Sequence, residues 1–253
     1  MAKRAGVRRR SSRPKRASVD RDGTKQASAN RRGRPKLEDS PVTIEEILEA
    51  ALQAFARYGY DGASVRLLNR ELGVSHNLIN QRFGSKEELW YAAIDRAFGR
   101  LVTQVGTSFD PTLTDPLDQL ETAISRFLEY SADHPELLAL MNIEAGLETP
   151  RLDYIYDNYL KPALEPLGRL IEYLAAEGRI RPVGLRTLHF LVAHGAAAPF
   201  SLVPLARRFD GIDPLDPAEV EAHAKLAAKV ITAGLRLESN RSGQKGAVRR
   251  PAT

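Results

Sequence analysis

Asn77, Asn80 and Gln81 stand in the short stretch GVSHNLINQRFGSKEEL, residues 73–89. Asn is a weak helix former, but every side-chain amide carries a donor and an acceptor in fixed geometry. Asn and Gln can pair bidentately with adenine in the major groove, and Leu can touch a thymine methyl. At roughly 100° per residue, Ile79 and Phe83 share one side of a helix counted from His76, and Asn77, Leu78, Asn80 and Gln81 fall on the opposite arc. These four are the candidate base-reading residues. His76 and Arg82 flank them, within reach of phosphates. A short polar helix alone is more often an ordinary solvated face, so its neighbours decide the matter.

Those neighbours read as a helix, a glycine turn and a second short helix, the helix-turn-helix plan. Ile44, Ile47, Leu48, Ala51, Leu52, Phe55 and Ala56 make an apolar stripe at helical spacing, stopped by Gly59 and Gly62. Thr43 and Glu46 have the spacing of a capping box, as do Ser85 and Glu88. Ser64 opens a second helix that ends at Gly73, and Ser75 is expected to cap the third. A long fourth helix follows, with Leu89, Trp90, Ala93, Ile94, Ala97, Phe98, Leu101, Val102 and Val105 on its stripe. Thr43, Ser64 and Ser75, together with His76, Arg82 and Lys86, are the candidate contacts to the DNA backbone. Lys86 sits at the positive end of a helix dipole, and both attract phosphate.

Charge is distributed unevenly. Residues 1–40 hold 14 basic and 4 acidic residues, 41–239 hold 19 and 28, and 240–253 hold 4 and 0. Both ends lack periodicity, so segments 1–40 and 239–253 are expected to be disordered basic tails on an acidic globule. Arg31, Arg32 and Arg34, around Gly33, suit the narrow minor groove of A·T-rich DNA and resemble the core of an AT-hook. A plain charged linker is the alternative. The remaining basic clusters add salt-sensitive, non-specific attraction.

Other chemistries find little support. The chain has no cysteine, which excludes disulfides and thiolate sites. No Ser-His-Asp arrangement, phosphate loop or metal-ligand spacing is evident, and His189 and His194 are poorly spaced for one metal on an α-helix. No catalytic residue, metal or cofactor is expected. The most apolar run, residues 190–206, is interrupted by His194, Gly195, Pro199 and Pro204, so no membrane span is expected. No apolar segment follows the charged N-terminus, and a cytoplasmic location is expected. Helical patterns continue over about 117–132, 135–147, 151–177, 184–207 and 217–237, with Pro162 and Pro166 expected to kink the third. No stretch alternates with period two over a strand's length. The fold class is all-α.

Residues 43 to about 101 resemble the DNA-binding domain of the tetracycline-repressor (TetR) family. The resemblance rests on Ala50-Ala51, Phe55, Gly59-Tyr60, Ser64-Val65, Leu68, Gly73-Val74-Ser75 and Phe83, and above all on Phe83-Gly-Ser-Lys-Glu-Glu-Leu89. Where the family usually has Gly, Tyr and Ala, this chain has Asn77, Asn80 and Asn69. The resemblance implies an N-terminal helix-turn-helix domain with linking helix four over 41–105. It further implies a helical regulatory and dimerisation domain over 106–238 that binds a small ligand. Lys86 matches the family's phosphate-clamping lysine. The implied protein is a transcriptional regulator, a repressor released from a palindromic operator by an apolar ligand. Its partners are double-stranded DNA, a small molecule and a second copy through helices 184–207 and 217–237. Gly195-Ala-Ala-Ala198 permits close helix approach, and Leu226, Val230, Ala233, Gly234 and Leu237 give the last helix a narrow apolar face. Candidate pocket residues are Phe98, Phe127, Tyr130, Met141, Tyr154, Tyr159 and Tyr173, each of which also suits plain core. A low-specificity, nucleoid-type protein acting through its basic tails is the alternative of a different class.

Overall fold

The structure is a computed structural model in which residues 42–75, 77–106 and 113–237 are described. The two tails, the arm residues Arg31, Arg32 and Arg34, and His76 lie outside the described residues. The regular secondary structure of those described is helical. No β-strand occurs among them, only an isolated antiparallel bridge between Ile180 and Arg236. No described helix is long and apolar enough to cross a membrane.

The first four helices follow from their caps and stripes. Helix α1 (Ile44–Gly62) starts on a complete capping box: Thr43 Oγ1 accepts from the Glu46 amide at 3.1 Å, and the Thr43 amide donates to Glu46 Oε2 at 2.7 Å. Gly59, at φ 69°, kinks the helix one turn before its end. In α2 (Val65–Glu71) Ser64 Oγ accepts from the Leu67 amide at 3.1 Å. The turn after α2 is a Schellman closure. Gly73 is left-handed at φ 64°, its amide donates to Arg70 at 3.2 Å, and the Val74 amide donates to Asn69 at 2.9 Å. Helix α3 spans Leu78–Phe83 and α4 spans Lys86–Gly106. Ser85 Oγ accepts from the Glu88 amide at 3.0 Å at the entry to α4.

Among the described residues, eight further α-helices follow: α5 (Pro116–Asp133), α6 (Pro135–Glu144), α7 (Pro150–Ile155), α8 (Lys161–Ala176), α9 (Leu185–Phe190), α10 (Ala198–Ser201), α11 (Val203–Asp210) and α12 (Pro217–Leu235). The expected single helices over 151–177 and 184–207 are both broken. A π turn, Tyr156–Leu160, joins α7 to α8, and a second, Leu191–Ala196, follows α9. Each precedes a proline. The Lys161 amide reaches back five residues to Tyr156 just before Pro162, and the Ala197 amide does so to Val192 just before Pro199. A proline ring collides with the carbonyl four residues earlier, and a wider turn relieves that collision. Pro166, by contrast, sits inside a continuous α8. Pro204 sits in the first turn of α11, where its missing N–H costs nothing, so the chain breaks at Leu202 and restarts.

Burial divides into two cores. The first joins α1–α4 to Leu137 and Leu140 of α6 and Ile155 of α7, around Phe55, Trp90 and Phe98. The second gathers α5, α8, α9, α10 and α12 around Leu120, Leu128, Leu188 and Phe200. The head therefore shares its core with part of the C-terminal half, and α4 carries side chains of that core along most of its length.

Candidate nucleic-acid interface and bundle cavity

Helix α3 is positioned from behind and open in front. Ile79 is fully buried and Phe83 half-buried, both packed in the first core, while Asn77, Asn80 and Gln81 are exposed. The amide-bearing face is therefore free to meet a groove. One expected reader is misplaced: Leu78 is only 6% exposed and belongs to the first core. The helix starts at Leu78, so Leu78 occupies the first turn beside Ile79, where burial removes its hydrocarbon from water. Likewise Ser75 is not the cap of α3. Asn77 holds the N-cap position without a side-chain cap bond, and Ser75 contributes its carbonyl to the Leu78 amide at 3.1 Å.

The expected backbone contacts are in varied states. Ser64 and Ser75 are exposed, and the Ser64 hydroxyl, accepting its cap bond, still has a proton to donate. Thr43 is exposed but donates its hydroxyl to Glu46 Oε2 at 2.9 Å, so a phosphate has to compete with that carboxylate. Arg82 is half-buried. Lys86 Nζ donates to the Tyr60 carbonyl at 2.9 Å and lies 4.1 Å from the Tyr60 ring centroid. The Arg151 guanidinium also lies 4.1 Å from that ring, while its Nε bonds the buried Glu144 carboxylate at 3.2 Å. Lys86 thus ties the start of α4 to the end of α1, and an ammonium with three donors retains protons for a phosphate.

Behind the head, the bundle holds two adjoining chambers of about 90 and 60 Å³. They share Leu101, Phe127, Leu160, His189 and Ala193. Of the seven expected lining residues, Phe98, Phe127, Tyr130 and Met141 line the smaller chamber. Tyr154 and Tyr159 do not line either. Their hydroxyls both donate to Asp95 Oδ1 of α4 at 2.6 Å, and Tyr154 packs edge-on against Tyr91 at 4.6 Å between centroids. Two phenols on one carboxylate are better satisfied there than in a hydrocarbon chamber. Tyr173 is 52% exposed and is a surface residue.

The sequence reading missed His134, His189 and His194, which all line the smaller chamber. A five-residue separation is unhelpful on an α-helix. The second π turn lengthens the repeat and brings the His189 and His194 rings to 5.8 Å between centroids. The signal was Pro199. His194 Nδ1 lies 3.0 Å from Asn142 Oδ1. Burial, with His194 beside it, holds the His189 imidazole below its ordinary pKa. Among the described residues no group of three or more His, Cys, Asp or Glu is placed to hold a metal ion.

On α12, Leu226 and Val230 are 64% and 61% exposed, and Ala233 and Gly234 are exposed on the same side; Leu237, expected on this face, lies beyond the helix end at Leu235, where its amide donates to the Arg179 carbonyl at 3.3 Å. The opposite side of α12, with Ala224, Ala228, Ile231 and Leu235, is buried in the second core.

Known proteins share this arrangement. The family model described as "Bacterial regulatory proteins, tetR family" matches residues 47–93, and "Tetracyclin repressor-like, C-terminal domain" matches 116–231. The HTH-type transcriptional repressor SCO4008 of Streptomyces coelicolor is 34% identical over 110 residues, 44% of this chain and 53% of that protein. The HTH-type transcriptional repressor AcnR of Corynebacterium efficiens is 41% identical over 68 residues, 26% of this chain and 36% of that one. The chain thus spans about half the length, or less, of these curated relatives. The solved structure of the ketosteroid transcriptional regulator KstR2 of Mycobacterium tuberculosis shares the fold, with a TM-score of 0.60 at 18% identity over 79% of this chain and 98% of that one. The chain belongs to the TetR family of bacterial regulatory proteins.

Proposed function

We propose that the protein is a DNA-binding transcriptional regulator, a repressor that binds a palindromic operator as a homodimer and leaves it when a small molecule enters the bundle. The observation that carries this reading is α3: exposed amides at Asn77, Asn80 and Gln81 on a helix held from behind by Ile79 and Phe83. Asn77, Asn80 and Gln81 read bases. Ser64, Ser75, Arg82 and Lys86, with Thr43 and His76, hold the backbone, and Arg31, Arg32 and Arg34 reach the minor groove. A cytoplasmic location suits a protein that works on DNA.

Dimerisation is supported by the apolar outer face of α12, since exposed contiguous hydrocarbon marks interaction sites. Two heads about one helical turn apart then match a two-fold operator. Release is supported by the chambers behind the head, bordered by Phe98 and Leu101 of α4. A ligand shifts the protein between states only by its differential affinity for them. The likeness to KstR2 and SCO4008 supports regulation of transcription, and the naming of SCO4008 as a repressor supports its direction.

The test is selection of bound fragments from a genomic DNA pool with the full chain. Recovery of one palindromic sequence supports this reading; sequence-blind recovery overturns it. A version lacking residues 1–40 separates the reading from a tail-driven nucleoid protein. It is expected to bind more weakly yet still select the palindrome, whereas loss of nearly all binding favours the tails.

A further inference from the structure

We propose that the bundle cavity takes a small monocarboxylate with an apolar body, its carboxylate held at the end formed by Tyr130, His134, His189 and His194. This rests on the reading of the cavity as the ligand site and adds the chemistry of the ligand.

The two chambers differ in kind. The larger is bounded by Ile124, Ala163, Leu164, Leu167, Leu188 and Val192, with His189 as its polar exception. Such a space favours hydrocarbon over water. The smaller adds Tyr130, Ser131, His134 and His194 to the shared wall. A molecule lying across both has an apolar body and one polar end. Together they are smaller than the 300–1,000 Å³ or so of a site for drug-sized ligands, which favours a small molecule.

The polar end offers donors in search of an acceptor. The Tyr130 hydroxyl is buried and has no hydrogen-bond partner, an arrangement that costs free energy until an acceptor arrives. Ser131 is already spent, donating to the Phe127 carbonyl at 2.7 Å. The groups facing His189 across the chamber are His194, His134 and Tyr130; Arg100, Glu136 and Asp133 act on Tyr130 from α4, α6 and the end of α5. Glu136 is drawn to His134 Nδ1 at 3.4 Å. Burial lowers the His189 pKa, and an anion beside it draws the imidazole back towards its protonated form, which adds a charged donor to the neutral Tyr130 hydroxyl. A carboxylate accepts from both; an alkyl alcohol brings no charge, and an ammonium cannot accept from the Tyr130 hydroxyl. Tyr130 and His134 also border an open groove lined by Asp95, Arg96 and Arg100 of α4, a surface of mixed charge in which Arg96 is paired with Glu45 at 3.5 Å.

The experiment is calorimetric titration of the full chain, without DNA, with octanoate, octan-1-ol and octylamine near pH 7. Octanoate is expected to bind at least tenfold more tightly than either control. Its binding takes up protons, read as a heat that depends on the buffer's ionisation enthalpy. Tyr130→Phe is expected to lower octanoate affinity about tenfold and leave octanol unchanged, and His189→Gln to remove the proton uptake. Leu164→Trp fills the apolar chamber and is expected to abolish binding of both. Equal affinity for octanol and octanoate, both abolished in Leu164→Trp, overturns the carboxylate and leaves the cavity a ligand site. Octanoate binding that survives Leu164→Trp, or no binding by any of the three probes, overturns the proposal; in that case fragment selection still reports independently on the DNA-binding reading.

Discussion

Tyr159, in the π turn after α7, donates its hydroxyl to the Asp95 carboxylate of α4 at 2.6 Å. Tyr154 meets the same oxygen at the same distance from one turn earlier. Burial is the first cause that raises the Tyr159 phenol's pKa, and Asp95 adds to it, so the phenol stays a donor across the physiological range. The next residue, Leu160, lines both chambers. Cavity, π turn and α4 are thereby joined by consecutive side chains, and α4 carries the core of the reading head. Tyr159→Phe keeps the ring and removes the bond. The ratio of operator affinities without and with octanoate is expected to shrink by about 1 kcal/mol of coupling. Fluorescence anisotropy on labelled operator measures it, and an unchanged ratio sinks the relay.

The face of α3 separates readers from support. Asn77→Ala and Gln81→Ala are each expected to relax base preference by about 1–3 kcal/mol, the worth of one bidentate amide–base pair, with little change in melting temperature. Leu78→Ala is expected to do the opposite, costing about 2–5 kcal/mol of stability as a core truncation. Binding to single-base operator variants, beside thermal melts, distinguishes the two. Sequence discrimination left intact by both amide changes removes α3 as the reader.

Lys86→Ala acts on phosphate and on packing. Binding is expected to weaken alike for all sequences, and the slope of log affinity against log salt to fall by about one. Because Lys86 also bonds the Tyr60 carbonyl, a loss of stability of about 1 kcal/mol accompanies it. A salt series on operator and random DNA reads the first effect. A base-dependent loss contradicts a backbone role.

The outer face of α12 predicts oligomeric state. Leu226→Lys with Val230→Lys replaces the two most exposed large apolar side chains of that helix and leaves its buried face untouched. Sedimentation is expected to show a shift from dimer to monomer with the fold retained, since like charges then oppose across a two-fold axis. A dimer that withstands both changes lies elsewhere on the surface.

His189 makes stability depend on pH. Its folded pKa lies below the ordinary value of 6.5, so the unfolded chain takes the proton first as pH falls. Stability is therefore full above about 6.5 and declines as the pH drops through 6.5 towards the lower folded value. His189→Gln is expected to flatten that part of the curve. Urea titrations at a series of pH values check the slope; identical curves for both proteins exclude His189 as its source.

Local rules carried the sequence reading far because the head is built from local rules. The Thr43–Glu46 box, the Ser64 and Ser85 caps and the left-handed Gly73 each depend on a few neighbouring residues, and each lies where the spacing placed it. Periodicity also placed Ile79 inside and the amides outside. It failed at Leu78, where the axis of a six-residue helix cannot be fixed by counting from an assumed start.

Sequence by itself determined the helical class, the head and the face its amides present, since these follow from backbone hydrogen bonding and hydrophobic spacing within single elements. Tertiary structure decided what the aromatic and histidine residues of the C-terminal half do. Tyr154 and Tyr159 went to Asp95, Tyr173 to the surface, and His134, His189 and His194 to one chamber. Those outcomes depend on two π turns that rotate the following residues, and on contacts between groups up to 64 positions apart. A side chain's partner across a bundle is set by the packing of whole helices, which no local pattern encodes.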